Sequence, residues 1–135
     1  MAGNTLKLEI ITPEKIALSE ETTSIVVPAT DGLLGIWPDH APLLAGLKPG
    51  SVKYKTAGGE KVVVVAGGFI EVANNVVSII APAAEMAADI DLERAQEAKK
   101  RAVERLANKE NVDVARAEAA LARANARIDG ASGKY

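Results

Sequence analysis

At 135 residues, the chain has room for one compact domain or one domain with a small appendage, which excludes a two-lobed enzyme built around a large cleft. Hydrophobic residues at 48% and charged residues at 25% mark a chain that folds, while aromatics at 3% exclude the stacking platforms that read single-stranded nucleic acid. A net charge of -2 withholds the electrostatic term that nucleic acid or an anionic membrane requires, zero Cys excludes disulfides and thiolate chemistry, and one His excludes a multi-His metal site.

From the start of the chain to about Ala84, apolar residues fall in short β-branched runs: Leu6–Ile11, Ile25–Val27, Ser51–Thr56, Val62–Ala66, Phe69–Ala73 and Val76–Ile80. Between them stand Pro13, Pro28, Gly32, Gly35, Pro38, Pro42, Gly46, Pro49, Gly50, Gly58, Gly59, Gly67 and Gly68, with Asn74-Asn75 dividing the last two runs. Short strands with turn signals at this spacing predict an antiparallel sandwich or barrel. The double glycine of Gly67-Gly68 reads as a tight turn or bulge.

The composition changes over Ala81–Ala88. Beyond it there is no Pro, no Gly before Gly130, and Ala, Glu, Lys and Arg dominate. Asp89 or Asp91 can cap a helix with Ala95, Ala98, Ala102 and Leu106 on one face, and Asp113 opens a second with Val114, Ala117, Leu121, Ala124 and Ile128. The pattern stops around Asn108–Asn111, so the two helices form an antiparallel hairpin, with Gly130, Ser132 and Gly133 ending the second helix before a frayed tail. A stripe of Ala methyls buries little apolar area, which predicts a marginally stable, movable part. The domain reading is therefore a sandwich over residues 1–86 and a helical hairpin over 87–135, an α+β chain.

All six arginines, Arg94, Arg101, Arg105, Arg116, Arg123 and Arg127, lie in the hairpin. Planar, permanently charged forks clustered on two helices suit polyphosphate or a carboxylate-rich surface. Spacing alone favours solvated arginines paired with Glu93, Glu97, Glu104 and Glu118. No GxxxxGK[ST] sequence is present, so a bound phosphate has to be held by arginine rather than by a phosphate loop. His40 sits between Pro38 and Pro42 with no nucleophile motif nearby and reads as a brace for that turn. No run is long enough for a membrane span and residues 1–9 carry no signal-peptide apolar region, which predicts a soluble intracellular protein without direct membrane insertion.

The segment DGLLGIWPDHAPLLAGLKPG at Asp31–Gly50, GGFIEV at Gly67–Val72 and VSIIAPAAE at Val77–Glu85 together resemble the ε subunit of bacterial and chloroplast F-type ATP synthases, over essentially the whole chain. The hairpin is especially similar to the thermophilic Bacillus-type members, whose ATP-binding motif [IL]DxxRA reads IDLERA here. That resemblance places Ile90, Asp91, Arg94 and Ala95 on the motif positions, with further nucleotide contacts at Glu85, Arg101, Arg123 and Arg127. It leaves Arg105 outside the contacts. At Leu33 some relatives carry an acidic residue, so an apolar c-ring contact is implied instead of a salt bridge.

What the resemblance implies is a non-catalytic rotor subunit at the cytoplasmic face of the bacterial cell membrane, as a peripheral part of the ATP synthase. Its sandwich couples the γ subunit to the c-ring. Its hairpin holds regulatory ATP, not hydrolysed, when folded down, with Mg2+ accompanying it or not, and reaches the α/β catalytic subunits when extended. The alternative is a purely structural coupling subunit whose hairpin binds no nucleotide.

Overall fold

The computed structural model describes residues 5–108 and 113–134. Eight strands come first: β1 (Leu6–Ile11), β2 (Ile16–Thr22), β3 (Ser24–Ala29), β4 (Gly32–Ile36), β5 (Leu43–Thr56), β6 (Gly59–Ala73), β7 (Val76–Ile80) and β8 (Ala84–Met86). A single-turn 3-10 segment, Ala87–Asp89, leads into α1 (Leu92–Ala107), and α2 (Val114–Ala131) follows.

The strands run in the order β2-β1-β7-β6-β5-β3-β4, with β8 added to β6. Every pair is antiparallel except β1 with β7, which is parallel from Lys7↔Val76 to Ile11↔Ile80. Two layers arise because β5 and β6 are long enough to serve both. The later half of β6 pairs with β7, and its earlier half pairs with β8. Between the layers lie Leu6, Leu8, Ile10, Ile70, Val72, Val77 and Ile79, packed with Ile25, Val27, Ile36, Val52, Tyr54, Val63 and Val65.

Gly67-Gly68 is neither a turn nor a bulge. One register runs from Leu43↔Val72 to Thr56↔Gly59, so the two predicted strands on either side of the glycines are one strand of 15 residues. The glycines take φ of 91° and 123°, which bends the strand without interrupting it. At Gly68 a Cβ would collide with the carbonyl oxygen of Ile80. By contrast Asn74-Asn75, with φ of 51° and 61°, is a two-residue hairpin turn of the type that matches strand twist.

Asp91 and Asp113 cap their helices, their carboxylates accepting from the Arg94 and Arg116 amides at 3.1 and 3.0 Å. Asn108 ends α1 and its N–H donates to the Glu104 carbonyl; beyond it, the polar connection expected to Asn111 lies outside the described residues. The second helix does not stop at Gly130 but continues to Ala131. Its terminus is set by Gly133 at φ 74°, where the Lys134 N–H reaches the Asp129 carbonyl at 2.8 Å. That bond closes a Schellman motif over residues 132–134, and the last residue of the tail expected to fray, Tyr135, lies outside the described residues. α2 lies on the outer faces of β5 and β6, and α1 packs on α2.

Candidate functional site

Where the hairpin meets the sandwich, a pocket of about 490 Å³ opens, within the range of small-molecule sites. One wall is sheet: Val64, Val65 and Ala66 of β6 with Ala83, Ala84 and Glu85 beside them. The other walls are helical, with Arg94, Arg101 and Arg105 from α1 and Arg123 and Arg127 from α2, separated by Ala98, Ala102, Ala120 and Ala124. Alanines between the arginines keep each helix surface short.

Of the eight residues predicted for the site, five line this pocket: Glu85, Arg94, Arg101, Arg123 and Arg127. The other three lie outside its lining. Asp91 is occupied as the N-cap of α1, Ile90 follows the 3-10 turn with its N–H on the Ala87 carbonyl, and Ala95 is fully buried. Arg105, left outside by the resemblance, belongs to the lining. The signal was its spacing: Arg94, Arg101 and Arg105 stand at i, i+7 and i+11, one face of a helix, as Arg116, Arg123 and Arg127 do on the second. Of the six arginines only Arg116 is absent from that lining.

Arg127 is held in place. Its Nε donates to Glu85 Oε1 at 2.8 Å, and its second nitrogen approaches Oε2 at 3.4 Å, a bidentate fork bridging α2 to β8. Among the described residues Arg94, Arg101, Arg105 and Arg123 form no ion pair, and none of Glu93, Glu97, Glu104 and Glu118 pairs with an arginine. The helix-surface pairing that spacing allowed is therefore not formed there. Five guanidinium groups against one carboxylate leave the lining strongly cationic. Alanine-lined walls with guanidinium groups that form no ion pair among the described residues suit a polyanion attached to an apolar body.

Two exposed apolar faces lie on the sandwich. Leu44, Phe69 and Ile80 are 73%, 62% and 57% exposed. They share one outer face, since Phe69 pairs with Ile80 and Leu44 pairs with Glu71 two residues along. At the β3–β4 end, Leu33 and Trp37 are also exposed, and the indole lies over Gly35, where a Cβ would strike the ring. The His40 ring braces the following loop, Nδ1 donating to the Ala41 carbonyl at 2.7 Å while its backbone N–H reaches Trp37. Alternation alone could have found the Leu44 face; the run Leu43-Leu44 before Gly46 hid it.

No described helix is long and apolar enough to cross a membrane.

The family model for the β-sandwich domain of the ATP synthase delta/epsilon chain matches residues 5–87, and that for its long α-helix domain matches residues 88–131. The ATP synthase epsilon chain of Nitratidesulfovibrio vulgaris strain DP4 is 50% identical over 124 residues, covering 91% of this chain and 92% of that protein. Its counterpart in Desulfitobacterium hafniense strain Y51 is 44% identical over 131 residues, 97% of this chain and 98% of that one. A chain in the OSCP/F1/c-ring structure of the Euglena gracilis mitochondrial ATP synthase superposes with a TM-score of 0.76 at 25% identity, over 90% of this chain and 78% of its own length. With whole-length identity to bacterial epsilon chains and both domain models matched in order, the chain belongs to the ATP synthase epsilon chain family.

Proposed function

We propose that this chain is an epsilon subunit whose hairpin senses ATP. Membership of the family makes it a non-catalytic central-stalk subunit of the F-type ATP synthase, with the γ subunit and the c-ring as its partners. The complex holds it peripherally at the cytoplasmic face of the membrane. The Leu44–Phe69–Ile80 face suits a broad apolar contact with γ, and the exposed Leu33 and Trp37 at the other end suit an apolar loop of the c-ring.

The observation that carries the sensing role is the arginine-walled pocket, four of whose forks form no ion pair among the described residues and are free to take an anion. Arg94, Arg101, Arg105 and Arg123 would hold the phosphate chain, Arg127 stays oriented by Glu85, and the alanine and valine walls accept the base. Bound ATP would supply polyanionic charge, and the one carboxylate of the lining, Glu85, is engaged by Arg127. Because sheet, α1 and α2 each contribute a wall, the site exists only with the hairpin docked. Occupancy therefore favours that position by differential affinity, as a population shift requires. Undocked, helices of 16 and 18 residues placed end to end reach roughly 50 Å along γ, where the freed arginines face the α/β subunits.

Calorimetric titration of the isolated chain with ATP, with and without Mg2+, tests this reading. Saturable binding is expected, together with a hairpin transition stabilised by about 2.7 kcal/mol at 100 times the dissociation constant. Millimolar ATP that gives no heat and leaves that transition in place would reduce the chain to a structural coupling piece.

A further inference from the structure

We infer that Gly130 is the positioning residue of the pocket: it sets the separation between α2 and the sheet, and with it the reach of the arginines across the gap. The inference rests on the nucleotide reading for its ligand, but not for its geometry.

Gly130 sits in the last turn of α2 without the positive φ that calls for glycine, and the helix is ended by Gly133. Backbone conformation therefore does not explain it, and in a helix glycine is a poorer residue than alanine. Space does explain it. A Cβ at Gly130 would drive into Cγ2 of Val64 and lie 3.3 Å from the Ser51 hydroxyl.

Those two residues are paired across β5 and β6, and Val64 is paired in turn with Glu85 on β8. One row of the sheet, Ser51–Val64–Glu85, thus receives two contacts of α2: the bare backbone of Gly130 and, one turn earlier, the guanidinium of Arg127. Val64 and Glu85 are also pocket wall. Lifting the helix by the thickness of a methyl group pulls the Arg127 fork off Glu85 and widens the site along the same row. No change of charge is involved.

The test uses the full chain with Gly130→Ala, Val64→Ala and the double variant. ATP affinity is read by calorimetry, and hairpin docking is read without nucleotide, by amide hydrogen exchange in α2 and β8. Gly130→Ala is expected to accelerate exchange in both elements and weaken ATP binding about tenfold, the scale of an overpacked contact. Adding Val64→Ala removes the atom that the new methyl meets, and should bring affinity and protection back to within about threefold of Val64→Ala alone. Gly130→Ala that slows exchange, as its helix propensity alone dictates, overturns the inference; so does a double variant no better than Gly130→Ala. If no form binds ATP, wild type included, the nucleotide reading fails while the exchange data still judge Gly130. Circular dichroism of the sandwich reports any variant that fails to fold, in which case Gly130→Ser with Val64→Ala repeats the comparison.

Discussion

The sandwich and the hairpin bury different kinds of residue. In the sandwich, Leu8, Ile10, Ile25, Ile36, Val52, Ile70 and Ile79 are sealed from solvent, each contributing about 1.5–3 kcal/mol of transfer free energy. Among the described residues of the hairpin the buried set is Ala95, Ala102, Ala117, Ala124, Ala126 and Gly130, which have a methyl group or less to bury. Chain continuity hides this asymmetry: residues a few positions apart belong to a part sealed by large aliphatic side chains and a part held by alanine contacts. A rotor coupling needs the first property and a switch needs the second.

Breaking the sandwich should have the largest effect. Leu8→Ala or Ile36→Ala is expected to cost about 2–5 kcal/mol of unfolding free energy, because each empties a fully buried site. Residues 1–86 alone should nevertheless melt cooperatively in a calorimetric scan. A truncated chain that lost its transition would mean that α2 is part of the core, and the comparison would collapse.

The arginines sharpen the other side. Arg94→Ala and Arg123→Ala should each lower ATP affinity at least about tenfold, since a charge-assisted hydrogen bond contributes about 1.5–3 kcal/mol, and Arg127→Ala should do the same by leaving the Glu85 carboxylate unneutralised beside the phosphates. Arg105→Ala belongs with them because it lines the pocket, and Arg116→Ala, outside the lining, should change affinity less than about threefold. Equal losses at all five positions in a titration would point to diffuse attraction between a basic hairpin and an anion.

The smallest effect is electrostatic and belongs to the sandwich. Lys61, hydrogen-bonded to Glu20 at 2.8 Å, holds that carboxyl below its ordinary value. A carboxyl with a lowered folded pKa stabilises the fold above its unfolded value and loses that contribution as the pH falls through the folded one. The stability given by the pair should thus fade on acidification below about pH 4.5, and Glu20→Gln should flatten that part of a pH-dependent melting series. Hairpin docking should be indifferent to the change. Tyr54 behaves in the opposite sense: burial and the neighbouring Glu20 raise its phenol, so the sandwich keeps it protonated well into the alkaline range.

Periodicity made the core strands readable, because β1, β3 and β7 are short apolar-rich runs whose inward positions are Leu, Ile and Val, and the two helix caps are Asp residues at the predicted places. The rest was hidden for physical reasons. β2, with the sequence IALSEET, is half polar, and β8 is three residues long, so neither carries an apolar signal. Pro49-Gly50 and Gly67-Gly68 look like punctuation but lie inside strands of 14 and 15 residues, where they bend the backbone without ending the ladder. The site was legible as a set of arginines. Which of them converge depended on how α1 rotates against α2, and that brought in Arg105 while leaving Asp91 to cap its helix.

The parallel pairing of β1 with β7 bears on how the molecule is made. Lys7 must wait for Val76 before that part of the sheet can close, so the sandwich is a high-contact-order unit that cannot finish until nearly all its strands have been synthesised. The hairpin, whose pairing is local, comes next in the order of translation. Each new chain therefore presents a finished sheet face for α2 to pack on as the helices form.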